Sequence, residues 1–94
     1  MINKIPNISV IMSVRNEQRF LLSSVQSILD QSFKDFEFLI TDDGSTDKTS
    51  EILSKLAESD NRIRLFRNSV SKGLPKNLNA MSDKARGLYL ARMD

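Results

Sequence analysis

Six polar residues stand where this chain turns from apolar to polar, and their types suit one kind of chemistry. Asp42 and Asp43 follow the apolar run Phe36, Phe38, Leu39 and Ile40 after Thr41, and Gly44-Ser45-Thr46-Asp47 comes after them. Ser13 and Arg15 close a second apolar run, ISVIMSV, together with Asn16 and Glu17. Lys72 lies in a polar loop, and Asp94 ends a third run, LYLARM. Carboxylates accept strong hydrogen bonds from N–H groups and hold hard cations through oxygen. With no histidine and no cysteine in the chain, the commonest general base and the zinc-thiolate sites are excluded, so any metal is held by oxygen. Mg²⁺ or Mn²⁺ fits that donor set, because such ions take one or two protein carboxylates and fill their other positions with water and phosphate oxygens. A nucleoside diphosphate is the natural companion ligand.

The elements that must position these groups alternate. Ile8–Val14 is β-branched and apolar, as a strand buried on both faces is, and the apolar residues Leu21, Val25, Ile28 and Leu29 recur at helical spacing over 17–31. The organising stretch is 36–56: a buried strand, a turn loaded with polar groups, and a helix with the apolar face Ile52, Leu53 and Leu56. Ser45, Thr46 and Asp47 are expected to supply the N-cap chemistry of that helix. Ile63, Leu65 and Phe66 alternate with Arg62, Arg64 and Arg67 as in a strand near a sheet edge, its charged face solvated. Pro75 suits the first turn of a third helix striped by Leu78, Met81 and Ala85, which Gly87 is expected to stop, and 88–93 makes a fourth strand.

This βαβαβαβ pattern predicts a parallel sheet with right-handed crossovers. The expected fold is α/β, a Rossmann-like three-layer α/β/α half-domain of about four strands in the order 3-2-1-4. Ligands of such sheets bind outside the carboxyl ends of the strands, where the strand order reverses. That switch point falls between the first and fourth strands, so Asp94, Ser13 and Asn16 are expected to border one crevice with Asp42 and Asp43 a strand further along. The first strand is not followed by G-x-G-x-x-G and no G-x-x-x-x-G-K-[ST] occurs, which excludes the dinucleotide dehydrogenases and P-loop NTPases.

With 94 residues the chain is one small domain or a piece of one, and 14 basic against 12 acidic residues give a net charge of +2, too small to argue for nucleic acid. No apolar run reaches the length of a signal-peptide core or a membrane span, and a cytoplasmic location is the expectation. Asp94 reads as a cut end. The outer edge of the fourth strand, rich in Leu, Tyr and Met, is then expected to pair two copies as a two-fold dimer.

Five segments in order, ISVIMSVRNE, LDQSF, FEFLITDDGSTDKT, NSVSKGLPKNLNAM and GLYLARMD, resemble the N-terminal part of a family 2 glycosyltransferase of the GT-A fold, and they span nearly the whole chain. The resemblance implies inverting transfer of a sugar, usually from a UDP-sugar, to a saccharide or other hydroxyl acceptor, as in polysaccharide biosynthesis. For the full-length protein it implies a place at the inner face of the membrane. It also implies a divalent metal, with Asp94 similar to the first carboxylate of the Asp-x-Asp motif. Residues 1–94 then form the nucleotide-sugar-binding part, truncated at the start of that motif, with no catalytic base and no transfer activity alone. Carried over by position, Ser13 and Arg15 line the nucleoside pocket, Arg15 standing where an aromatic residue is usual. Asp43 accepts from the uracil N3–H, Asp42 supports that loop, and Lys72 approaches the diphosphate. Asn79 matches the family's Asn in the third helix, but Leu78 replaces the Arg common there.

Other readings stay open at this stage: a non-catalytic nucleotide-binding α/β module, a receiver domain, or a haloacid-type phosphatase. The receiver needs an acidic pair after the first strand, where this chain has Ser13-Val14-Arg15. The phosphatase needs two aspartates on one face of a loop, whereas adjacent residues of an extended segment diverge.

Overall fold

The computed structural model describes residues 5–93. Four strands, β1 (Ile8–Val14), β2 (Phe36–Asp43), β3 (Ile63–Asn68) and β4 (Tyr89–Met93), alternate with three helices, α1 (Leu21–Leu29), α2 (Thr49–Ser59) and α3 (Leu74–Lys84). All strand pairs are parallel, and the sheet order is β3-β2-β1-β4, the order expected from the alternation. Ile8 of β1 lies opposite Phe36 of β2 and Tyr89 of β4, so three strands start at one level, and at the carboxyl end Val14 faces Asp42 and Asp43 faces Asn68.

Period-two alternation divides the sheet's side chains between two unequal layers. Val10, Met12, Val14, Phe36, Phe38 and Ile40 face α1 and α2, where Leu21, Val25, Ile28, Leu29, Leu53 and Leu56 complete the larger apolar cluster. The opposite face is thinner: Ile11 and Leu39 meet Leu78 and Met81 of α3, with Phe66 packed beside them. The rest of that face is polar, and Ser9, Glu37, Thr41 and Asp43 are all buried there.

Four local expectations change. The first helix begins at Leu21, not near residue 17, because the backbone of 16–18 is held by the β2–α2 turn: Glu17 N donates to Thr49 Oγ1 at 2.9 Å, and Asn16 adopts φ 53°. The second helix begins at Thr49, and the residue preceding it, Lys48, offers no side-chain cap. Of the three expected capping residues Asp47 does cap the helix start, its Oδ1 accepting from Thr49 N at 2.9 Å, whereas Ser45 accepts from Asn16 N. Gly87 stands three residues beyond α3, where its lack of a side chain admits β1: a Cβ there would lie 2.6 Å from Ser9 N. The charged face of β3 is not simply solvated, since Arg64 donates to Glu37 Oε1 and to the carbonyl of Lys84, both at 2.9 Å.

Candidate nucleotide-binding site

The sheet delivers Asp42 and Asp43 to the carboxyl end of β2 and turns their side chains to opposite faces, as adjacent strand residues must. Asp42 is fully buried on the α2 side, where its carboxylate accepts from Ser45 N at 3.2 Å and from the Ser50 hydroxyl and lies 3.5 Å from the Arg67 guanidinium. It fastens the start of α2 to the sheet. That divergence also removes the phosphatase reading, which needs the two carboxylates together.

Asp43 faces α3 and organises the segment that leads into it. Its Oδ1 accepts from Asn68 Nδ2 at 2.9 Å and Lys72 N at 2.8 Å, and its Oδ2 from the Ser71 hydroxyl at 2.8 Å and Gly73 N at 3.1 Å. An ionised carboxylate has about four lone-pair positions, and all are taken from within the chain. Burial pushes this carboxyl up, but the Asn68 amide, the Lys72 N–H, the Ser71 hydroxyl and the Gly73 N–H outweigh burial and hold it well below the usual carboxylate range. Every one of those donors is neutral. Gly44, at φ 72°, lets the chain leave β2 close under this loop, and a Cβ there would lie 2.9 Å from Ser71 N.

Ser13, at the end of β1, reaches the same cluster from the other side. Its Oγ accepts from Asn77 Nδ2 at 2.9 Å, and Asn77 Oδ1 accepts in turn from Asn68 Nδ2 at 2.8 Å. Ser13, Asn77, Asn68 and Asp43 therefore form one continuous chain of hydrogen bonds across the carboxyl ends of β1, β2 and β3. On the α1 side, a cavity of about 280 Å³ opens between β1 and β4, lined by Ser13, Glu17, Leu21 and Met93 among others. It lies at the switch point where a crevice is expected.

Of the residues singled out from sequence, the structure gathers Ser13, Asp43 and the backbone of Lys72. Lys72 also lines a groove of about 680 Å³ between β3 and α3, with Arg67, Lys76 and Lys84, and Asn68 and Asn77 border that groove as well. Arg15 is exposed just past the end of β1. Asp94 lies outside the described residues. Asn79 is exposed on α3, and the buried amide is Asn77, two residues earlier. Asn77 was legible, because it falls on the core-facing row Asn77, Leu78 and Met81, where a polar side chain needs a partner. Asn68 was legible too, as the amide that ends β3 on the same row as Arg64 and Phe66.

Among the described residues no three carboxylate, histidine or cysteine side chains converge as a metal site. The oxygens of Asp42 and Asp43 already have internal donors, so these two residues do not form a cation site. No described helix is long and apolar enough to cross a membrane.

A sequence model of glycosyl transferase family 2 matches residues 9–94. The putative glycosyltransferase EpsE of Bacillus subtilis is 42% identical over 93 residues, which cover 98% of this chain and 34% of the relative. The chain thus spans about a third of that relative's length. Among solved structures, S. aureus TarS 1-349 in complex with UDP superposes with a TM-score of 0.83 at 26% identity, covering 94% of this chain and 27% of that one. The mannosyltransferase PcManGT from Pyrobaculum calidifontis, in complex with GDP-Man and Mn²⁺, shares the fold with a TM-score of 0.77 at 23% identity, covering 87% of this chain and 25% of that one.

Proposed function

From the premise that the chain belongs to glycosyl transferase family 2 and has the α/β architecture of the GT-A fold, we propose that it binds the nucleotide part of a UDP-sugar at the carboxyl ends of β1 and β2. The observation that carries this reading is Asp43, a buried carboxylate at the sheet end whose hydrogen-bond donors are all neutral. The site keeps its negative charge, which favours an N–H donor such as the imide of uracil. Since four donors already fill Asp43, the imide takes the place of one. Ser71 is the donor that yields, because its hydroxyl is on an exposed residue and can turn to water. Ser13 and Arg15 border the same end, a guanidinium plane serving where an aromatic ring would stack, and Lys72 lies on the loop that Asp43 holds.

In the whole protein the proposed reaction is inverting transfer of the sugar to an acceptor hydroxyl. A divalent cation, Mg²⁺ or Mn²⁺, belongs to the proposal through Asp94, and when bound it would neutralise charge on the departing diphosphate. The described residues do not complete its site. The work of these residues is to bind and orient the nucleotide.

Two measurements test the proposal. Calorimetric titration should give tighter binding of UDP than of ADP, and equal affinities would sink the assignment of the pocket. Incubation of this chain with a UDP-sugar, Mn²⁺ and a hydroxyl acceptor should give no transfer, because general base catalysis contributes about 10²–10⁴-fold and we assign no such base among these residues. Turnover by these 94 residues would show that the catalytic parts are misassigned.

A further inference from the structure

We infer that Asn77 is a positioning residue that fixes the Ser13 hydroxyl as a hydrogen-bond donor toward the nucleotide, through a relay whose polarity is set by Asp43. The inference rests on the nucleotide reading above.

The direction of each bond in the relay follows from the one before it. An ionised carboxylate only accepts, so Asn68 must present its amide nitrogen to Asp43, and its Nδ2 spends its two hydrogens on Asp43 Oδ1 at 2.9 Å and Asn77 Oδ1 at 2.8 Å. Asn77 must therefore accept with its oxygen and donate with its nitrogen, which it does to Ser13 Oγ at 2.9 Å. Flipping Asn77 would set nitrogen against nitrogen, and flipping Asn68 would set its oxygen against the carboxylate. Both reversals leave buried groups unsatisfied, since Asn77 is 2% exposed and Asp43 5%.

The consequence falls on Ser13. Its Oγ lies beside a fixed donor, so the hydroxyl proton cannot point at Asn77 and turns away from it. Among the described residues no bond takes up that proton. Ser13 is only partly buried, and the proton is left to an acceptor that enters the site. The two ends of the relay thus offer opposite characters, an acceptor at Asp43 and a donor at Ser13. Adjacent N–H and C=O groups, as on the imide edge of uracil, complement that pair. The edge of cytosine, with a ring nitrogen that accepts and an amine that donates, opposes it.

A double-mutant cycle read by calorimetric titration with UDP tests the relay. Ser13→Ala removes the donor and is expected to weaken UDP about tenfold, the loss of one hydrogen bond. Asn77→Asp puts an acceptor against Ser13, draws the proton inward, and should cause a similar loss. The double variant should then lose about tenfold rather than about a hundredfold, because both changes remove the same donor. UDP's advantage over CDP should shrink in each variant. Since Asn77→Asp places a charge at a buried position, Asn77→Ala is measured alongside, with the expectation that it costs no further affinity once Ser13 is already Ala. An additive cycle, with Asn77 variants weakening UDP equally whether or not the Ser13 hydroxyl is present, would reduce Asn77 to a structural amide and overturn the inference while leaving the nucleotide site standing. Failure of the parent protein to bind UDP would overturn both.

Discussion

Strand β2 carries a buried carboxylate near each end, on the same face and six residues apart, and the two are held in opposite ways. Glu37 takes two hydrogen bonds from neutral donors, Ser9 Oγ and Arg86 N, both at 2.6 Å, and pairs with the guanidinium groups of Arg64 at 2.9 Å and Arg86 at 3.2 Å. Asp43 has an equal number of bonds and no cation among them. At the amino end of the sheet the charge is therefore neutralised inside the fold. At the carboxyl end it is solvated only by dipoles and keeps its charge. The contrast separates a rivet from the proposed binding site, although burial and bond count are nearly the same at both. Glu37 closes the connection from α3 into β4, with Gly87 N donating to Ser9 Oγ at 2.8 Å beside it. Asp43 shapes a loop that stays at the surface.

The largest expected effect comes from breaking the rivet. Glu37→Ala leaves two guanidinium groups and the Ser9 hydroxyl without their acceptor. Loss of a buried pair costs about 3–5 kcal/mol, and because Arg86 is well exposed the lower end, about 3 kcal/mol, is expected in urea unfolding. UDP affinity of the folded protein should not change. A loss below about 1 kcal/mol would mean that the arginines find other partners and that the two ends differ less than their geometry indicates.

Asp43→Asn sharpens the other side of the comparison. The substitution removes a charge-assisted acceptor worth about 1.5–3 kcal/mol and should lower UDP affinity by that amount, shrinking the preference for UDP over ADP. Amide exchange at Lys72 and Gly73 should speed up as well. Unchanged UDP binding together with faster exchange would make Asp43 a purely structural residue like Glu37.

Acidification probes both ends, with the sign set by the lowered pKa values. Burial pushes the Glu37 carboxyl up, but its hydroxyl, backbone and guanidinium partners outweigh that and lower it from an ordinary 4.5 to about 2. A carboxylate whose folded pKa is depressed contributes stability that is present above the unfolded value and lost as pH falls toward the folded one. Stability should therefore drop between pH 4.5 and 2, by at most about 1.4 kcal/mol per pH unit for this proton. Glu37→Gln should flatten that part of the profile. An equally steep fall in the variant would assign the acid sensitivity to other groups.

Smaller effects are expected at the glycines beside each carboxylate. Gly44→Ala strains a positive φ of 72° and presses on Ser71 N, while Gly87→Ala presses on Ser9 N without a φ penalty. Each should cost about 1–3 kcal/mol, the range for overpacking. Only Gly44→Ala should also weaken UDP, since it alone disturbs the loop that Asp43 holds.

Much of this was legible before any coordinates. The alternation of runs such as ISVIMSV and FEFLI with helical stripes was enough for the parallel sheet and its order, and the same runs marked Ser13, Asp42 and Asp43 as strand-end groups. The partners were harder to read. Asn68 and Asn77 act through Asp43 and Ser13 across separations of 25 and 64 residues, and no local pattern encodes such pairings. Glu37 carries a signal of its own: a lone acid inside a buried strand requires partners, and β3 and the α3–β4 connection supply the arginines Arg64 and Arg86. The helix starts differ for a related reason, because Asn16 N donates to Ser45 Oγ and Glu17 N to Thr49 Oγ1 across the two loops.

The central claim is that UDP binds at the carboxyl end of the sheet and not elsewhere, and backbone amide chemical shifts recorded during a UDP titration test it most directly. The shifts should move together at Ser13, Arg15, Asp43, Gly44 and the loop of Ser71, Lys72 and Gly73, while Glu37, Arg64, Arg86 and Gly87 stay in place, and ADP should produce smaller changes at the same residues. Shifts concentrated around Glu37, or in the lysine groove of α3 with Ser13 and Asp43 unmoved, would contradict the account.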